Sequence, residues 1–372
     1  MKFFRLFILS LICSLSVVGR STSSPNVRTA YLQESDGTAG VGQTTVAGLQ
    51  LRGSSGMTLQ LGARSEALLR RKQTLFVPPT SELPPFEPSP SDVEPPPTIV
   101  DSRPRFRGEY DDEILAKLCS LQVKTIRPLG GGSSIKLRVT FVDGSHAAVK
   151  PNQLRITRYQ AEVAAYKLGR ALGLGVVPPS CVRTFTKEAL QANMPKDLRE
   201  RMDQELVVDD KGNVKTAVIQ WVPGLRNIKL EQADWWRPLL KHGEPIPSGK
   251  HKRVAEISTL LLFDYLLLNF DRWSGGNTTE ADGEMVYIDQ GAGFGPDKKH
   301  GHSRLMLKTL KWSERFPRNV AHSLFQLDLP ALRTDFGDLV TDDEWESFLY
   351  RVEHARAYLH ALKKQSPKDS LF

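Results

Sequence analysis

The sequence predicts an α+β domain of two lobes: a small β-rich N-terminal lobe carrying one helix, then a mainly helical C-terminal lobe. Three observations predict it. Residues 123–150 read as three strand-like runs separated by a glycine-rich turn and a tight hairpin. One helical period covers Arg158–Leu172. A long apolar helical run, Val254–Phe270, opens the second half of the domain.

The chain has 372 residues, of which 40% are hydrophobic, enough to bury a sizeable core. Its formal charge of +8 favours acidic partners such as nucleotide phosphates, acidic protein segments or anionic lipid. No Lys/Arg run is dense enough to argue for nucleic acid, which is left out of the expected partners. The cysteines are Cys13, Cys119 and Cys181. Cys13 lies in the N-terminal apolar segment, so at most one disulfide, Cys119–Cys181, is open to the remainder. This is not a disulfide scaffold.

The N-terminus has Lys2 and Arg5, an apolar run Leu6–Val18, then Gly19. This is the anatomy of a secretory signal peptide over 1–20, with an uncleaved signal anchor, and so a membrane tether, as the alternative reading. Residues 21–105 are expected to be a disordered, Pro-rich linker: Ser, Thr, Gly and Gln dominate first, and prolines recur from Pro78 to Pro104. Within it, Ser65–Gln73 is a candidate short helix. The catalytic domain is expected over 106–372.

Val123–Pro128 is the first β-like run. Leu129-Gly130-Gly131-Gly132-Ser133-Ser134 interrupts it, and Ile135–Phe141 alternates apolar and polar residues as a half-exposed strand does. Asp143-Gly144 marks a hairpin, and Ala147–Val149 forms a third strand ending at Lys150. In the following helix, Ala161, Ala164, Ala165, Leu168 and Leu172 recur at helical spacing. Gly173, Gly175 and Pro178-Pro179 stop it. Ser180–Phe185 and Lys215–Trp221 read as further strands around a polar insertion. Met285–Ile288 is a short strand, and Asp342–Lys363 a C-terminal amphipathic helix capped by Thr341.

The chemistry-bearing residues are spread along this order. A glycine-rich turn (Gly130, Gly131, Gly132, Ser133) exposes backbone N–H groups that can cradle phosphates; alone, it reads as a flexible hairpin. Lys150, at the end of an apolar strand, faces a cleft or, as such lysines commonly do, solvent. Glu162 is either a solvated helix residue or a partner for Lys150 or a metal. Asp271, with Arg272, follows the apolar helix, at the rim of a cleft or at a helix end turning into water. Asp289 ends a short strand and precedes Gln290-Gly291, which suits a divalent metal on phosphate oxygens. Asp271 and Asp289 stand eighteen residues apart across an expected hairpin. In this order the parts match what phosphoryl transfer needs: phosphates held by a lysine, a metal carboxylate and a carboxylate that orients the attacking hydroxyl.

The Lys150-Pro151 strand end, the segment AEVAAYKLGRALGLGVVPP, FDYLLLNFDR and IDQGAGFG resemble the secretory-pathway kinases that include Four-jointed and the Golgi casein kinase. The resemblance covers about Thr125–Phe294. It implies an atypical, two-lobed protein-kinase-like fold that uses ATP with Mn2+ or Mg2+. It also implies an acceptor on a secreted or lumenal protein, or on a glycan. By the same resemblance, Lys150 binds phosphates, Glu162 pairs with Lys150 or helps bind metal, Asp271 is the catalytic carboxylate, and Asp289 is the metal ligand. Gln220, Trp221 and Val222 form the hinge along the adenine. The location implied is the Golgi lumen or the outside of the cell, or the periplasm if the chain is bacterial. Two features set this chain apart from the animal members: its few cysteines, and a short Lys150–Glu162 spacing closer to Four-jointed.

Asn277 is open between a second metal contact, a glycosylation acceptor (Asn277-Thr278-Thr279) and a plain loop residue. The tryptophans are expected to pack the lobes, with Trp273 alternatively shaping the acceptor site. Three functions remain: a protein Ser/Thr kinase, a glycan kinase on the same scaffold, and a catalytically inactive kinase-like scaffold. The joint presence of Lys150, Glu162, Asp271 and Asp289 argues against the last.

Overall fold

The computed structural model describes residues 51–52, 58–59, 103–130, 133–154, 157–295 and 297–365. The segment 1–20, most of 21–105, the helix expected over Ser65–Gln73 and the glycines Gly131 and Gly132 lie outside them. The chain divides into two compact units, Met1–Ser81 and Glu82–Phe372. In the first, Leu51–Arg52 and Thr58–Leu59 pair antiparallel, a short ladder that composition did not announce.

The second unit opens with a ladder of Arg105–Phe106 and Glu109–Tyr110, then helix α1 (Asp111–Ser120). The pattern reading did not resolve α1. Its first turn holds Asp111, Asp112 and Glu113 and its last turn Lys117, which suits the helix dipole. Its buried Ile114 and Leu118 join the core beneath the main sheet. Cys119, near its end, is disulfide-bonded to Cys181, with their Cα atoms 6.1 Å apart.

That sheet contains β1 (Val123–Pro128), β2 (Leu137–Phe141), β3 (His146–Pro151), β4 (Ser180–Thr186) and β5 (Asn213–Gln220). All neighbours are antiparallel, in the order β1-β2-β3-β5-β4. The alternation expected of β2 is realised: Leu137, Val139 and Phe141 are buried, while Arg138 and Thr140 are half-buried on the other face. At the β2–β3 turn, Gly144 takes φ +85° and Asp143 Oδ1 accepts from Ser145 N at 2.9 Å.

Between β3 and β4 lies helix α2 (Tyr159–Ala171). Its alanine face (Ala161, Ala164, Ala165) packs into the helical-lobe core, whereas Tyr159 and Val163 pack against Ala217 and Ile219 of β5. It is therefore buried on two sides. The polar insertion is a helical turn, Lys187–Gln191, capped by Thr186, and helix α3 (Lys196–Glu205).

The helical lobe is built on α4 (His251–Leu267), whose residues from Ile257 to Leu267 are all buried. Leu268, with φ +61°, ends it in the left-handed region, and Asn269 N bonds back to Asp264 O at 2.8 Å. A short hairpin follows, β6 (Thr279–Ala281) with β7 (Glu284–Val286), edged by Arg226–Asn227. Helices α5 (Gly301–Leu310), α6 (Arg318–Phe325), α7 (Leu329–Phe336) and α8 (Asp342–Gln365) complete the lobe. Thr341 caps α8 as expected, in a reciprocal box: Glu344 N donates to Thr341 Oγ1 at 3.4 Å and Thr341 N to Glu344 Oε2 at 2.9 Å. Trp273 packs with Trp236 and Trp312 inside this lobe, at ring separations of 5.5 and 5.8 Å. Among the described residues, no helix is long and apolar enough to cross a membrane.

Candidate active site

The last residues of β3 carry Lys150 between the sheet and the helical lobe. The common expectation for a strand-end lysine, exposure to solvent, is overturned: Lys150 is only 8% exposed. Its Nζ donates to Glu162 Oε1 at 2.5 Å and to Asp289 Oδ1 at 2.6 Å. Glu162 is likewise buried rather than solvated, because α2 is covered on both sides. Burial alone would pull the Lys150 ammonium down, but the Glu162 and Asp289 carboxylates overcome it and hold the group well above its usual range. The Lys150 ammonium in turn holds the Asp289 carboxyl down at about 2, against the opposing effect of burial.

Asp289 takes φ +59°, a left-handed conformation that an aspartate tolerates better than most side chains. The glycine after next is required by close approach. A Cβ on Gly291 would lie 3.1 Å from Thr157 Cβ and 3.3 Å from Glu162 Oε1. The chain therefore docks tightly on the start of α2, where Arg158 N donates to Gly291 O at 2.8 Å. Arg158 Nη2 donates to Phe294 O at 2.9 Å, and Nη1 pairs with Glu344 of α8.

A cleft of about 340 Å³ opens here. Its wall combines apolar residues (Ala148, Val177, Ile219, Leu225 and Ile288) with charged ones (Lys136, Lys150, Glu162 and Asp289). Gln220, Trp221 and Val222, expected as the hinge, line it as well. So do Leu129 and Ser180. Gly130 and Ser133 are described but are not in its wall; Ser133 O accepts from Arg201.

Asp271 and Asn277 are half-buried and do not line this cleft. Asp271 sits at the N-cap of a one-turn helix, Arg272–Gly275. The rim position expected for the Asp271-Arg272 pair is corrected for Arg272, which is 1% exposed. Its Nε donates to both Asp264 oxygens at 2.8 and 2.9 Å, its Nη1 to Asn277 O at 2.9 Å and Ile288 O at 2.8 Å, and its Nη2 to Gln290 Oε1 at 2.7 Å. A helix end that turns into water cannot hold such a fork; the buried Asp264, one turn back on α4, draws the guanidinium inward. Burial pushes the Asp264 carboxyl up to about 6, the pull of Arg272 notwithstanding, so it remains ionised at neutral pH.

The donors near Asp289 are hard oxygens, the set that Mg2+ or Mn2+ prefers. Asp289 is held ionised, Glu162 stands across Lys150 from it, and Asn269 Oδ1 is buried with no hydrogen-bond partner while its Nδ2 reaches the Asp289 main-chain oxygen at 3.4 Å. Carboxylate and amide oxygens are ligand types that a divalent cation takes, and among the described residues no three His, Cys, Asp or Glu side chains cluster around a metal position.

Lys136 and Asn269 were missed by sequence reasoning. The signal for Lys136 was in the strand alternation. The pairing Arg138↔Ala148 puts Lys136 and Lys150 on one face of the sheet, and the Lys136 charge also helps hold Asp289 down. Asn269 gave no signal apart from its nearness to Asp271.

The family model of the Four-jointed box protein middle domain matches residues 109–286. Human Four-jointed box protein 1 is 30% identical over 158 residues, 38% of this chain and 33% of that protein. The Xiphophorus maculatus protein of the same name is 25% identical over 213 residues, 51% of this chain and 48% of its own. The human extracellular serine/threonine protein kinase FAM20C is 23% identical over 252 residues, 53% of this chain and 42% of its own. The chain thus spans a third to about half the length of the curated relatives it matches. Among solved structures, the Golgi casein kinase superposes with a TM-score of 0.53 at 14% identity, over 70% of this chain and 79% of that one. Hydra Fam20 with sugar gives 0.53 at 14% identity, over 69% and 90%. These two likenesses establish the protein-kinase-like fold.

Proposed function

From its likeness to the kinase-like family of Four-jointed and the Golgi casein kinase, we propose that the chain is a member of that family and transfers the γ-phosphoryl group of ATP to Ser/Thr hydroxyls of secreted proteins. The observation that carries this reading is Lys150, bound by both Glu162 and Asp289 in a cleft whose wall is part apolar and part charged. The apolar part of the wall suits a purine, with the Gln220–Val222 backbone along its edge. Lys150 and Lys136 face the phosphates, and Glu162 keeps the Lys150 ammonium in place. Asp289, Glu162 and Asn269 or Asn277 would hold Mn2+ or Mg2+, which when bound neutralises charge on the phosphate oxygens. A solved structure of the Golgi casein kinase carries Mn/ADP, which supports this choice of ligands.

Asp271 then orients the acceptor hydroxyl and takes its proton. The hydroxyl oxygen bonds to the γ-phosphorus, the bond from that phosphorus to the β–γ bridging oxygen breaks, and ADP leaves. The Golgi, the secretory lumen or the cell exterior is the site of action we assign. The reading of 1–20 as a signal or anchor supports it, as does the Cys119–Cys181 disulfide, a bond that persists in oxidising compartments. In this scheme 21–105 is a spacer and 106–372 the catalytic domain.

The test is transfer of labelled phosphate from ATP by the full chain, with Mn2+ or Mg2+, to a panel of secreted proteins and glycans. Transfer that depends on the metal and is abolished by Asp289→Ala is expected. Undiminished transfer by that variant, or none by the wild type, would overturn the proposal. Transfer to a sugar hydroxyl with none to protein would instead assign a glycan acceptor, the second reading. A relative solved with sugar supports keeping it. Absence of any metal-dependent ATP binding would point to an inactive scaffold.

A further inference from the structure

Asp271 and Asp289 lie on segments separated along the chain by the β6–β7 hairpin. One side chain ties the two segments together. Arg272 follows Asp271 directly, and its guanidinium reaches the carbonyl just before Asp289 (Ile288 O, 2.8 Å) and the side chain just after it (Gln290 Oε1, 2.7 Å). It also holds Asn277 O at 2.9 Å, where the chain leaves the one-turn helix. Asp264 anchors the fork from α4 through two contacts of 2.8 and 2.9 Å. Asn269 completes the frame: its Nδ2 donates to Gln290 Oε1 at 2.9 Å.

We propose that Arg272 is the positioning residue that sets the separation and orientation of Asp271 relative to Asp289. The proposal rests on the kinase reading above, since it concerns the spacing of that reaction's two carboxylates. Asp289 holds a left-handed φ that its neighbours must impose, and the fixed Ile288 carbonyl sets the peptide plane leading into it. A planar guanidinium offers five N–H donors in a rigid fork, and here both faces of the fork are in use. A lysine in its place could neutralise Asp264 but could not span Asp264, Ile288, Asn277 and Gln290 together.

That difference separates positioning from a merely structural ion pair. If Arg272 only neutralises Asp264, Arg272→Lys keeps both fold and activity. If it positions, the folded Arg272→Lys loses kcat while the nucleotide KM is spared. Of the residues that line the cleft, the hydrogen bonds of Arg272 reach Ile288 O and Gln290 Oε1 beside Asp289, and none reaches Lys150.

The experiment uses the full chain with ATP, Mn2+ and an acceptor that the wild type phosphorylates. Arg272→Lys and Gln290→Leu are compared with it for kcat, nucleotide KM and thermal unfolding. Arg272→Lys is expected to lower kcat about 100-fold, the scale of a misplaced reacting group, with KM within about threefold. Gln290→Leu, which removes one acceptor and leaves the Arg272–Asp264 pair intact, is expected to lower kcat about tenfold. A folded Arg272→Lys with kcat near the wild-type value overturns the assignment while leaving the kinase reading intact. If Arg272→Lys fails to fold, an unchanged kcat in Gln290→Leu overturns it. No transfer by the wild type to any acceptor defeats the kinase reading, and this assignment with it.

Discussion

Lys150 and Asp289 stand 139 residues apart in the chain and 2.6 Å apart in the structure, joined at the mouth of the helical lobe with Glu162 on the other side of the same ammonium. One cation therefore balances two carboxylates in a buried site, and the balance has consequences for stability as well as chemistry.

Removing the cation strands both carboxylates, whereas removing one carboxylate leaves the other paired. Lys150→Met should therefore cost about 3 kcal/mol of stability, and Glu162→Gln distinctly less. Urea unfolding of the two variants at neutral pH measures the difference; equal costs would show that the two contacts do not share one charge. Both variants should also lower phosphate transfer, Lys150→Met the more strongly.

Gly291 is the point of closest approach between the segment after Asp289 and the start of α2. A methyl group there meets Thr157 Cβ at 3.1 Å and the Glu162 carboxylate at 3.3 Å. Gly291→Ala should push α2 and Glu162 away from Lys150, at a cost of about 1–3 kcal/mol. Nucleotide affinity should fall with it. Thermal unfolding and nucleotide titration of the same variant check both, and wild-type values in both would mean that the loop yields without moving the helix.

Asp264 makes stability depend on pH in a definite direction. Its carboxyl titrates at about 6 in the folded chain, above the 3.8 of an unperturbed aspartate. The folded state thus binds the proton first. The stability this group contributes is fully present below pH 3.8 and is lost as pH rises through 6. Between pH 7 and pH 5 the wild type should gain on the order of 1 kcal/mol relative to Asp264→Asn, which has no such proton to bind. Urea unfolding of both proteins at the two pH values gives the comparison, and a difference that does not change with pH would refute it.

Much of the fold was legible because its signals are local. The alternation of Ile135–Phe141, the Asp143-Gly144 turn, the alanine period of α2 and the apolar run of α4 each lie within a few turns of chain. Helix α1 was not legible: it is short, and its apolar positions Ile114 and Leu118 become meaningful only against the sheet that covers them. At the site, the residue types and their order were readable, but their surroundings were not. Lys150 and Glu162, taken singly, read as solvated, and Arg272 as a rim residue. All three are buried, because partners on other elements of the fold compensate their charges.

The amino-acid order alone determined that a glycine turn, a lysine-ended strand, a helix bearing Glu162, an apolar helix, Asp271 and Asp289 occur in succession, since periodicity and turn chemistry act between near neighbours. Tertiary structure alone decided which of them meet. It joined Lys150 to Glu162 and Asp289, turned Lys136 toward the same cleft, drew Arg272 inward onto Asp264 and left Asp271 outside the cleft wall. The physical reason is that a buried charge is stable only beside its counter-charge. Here the counter-charges come from elements that no local pattern connects.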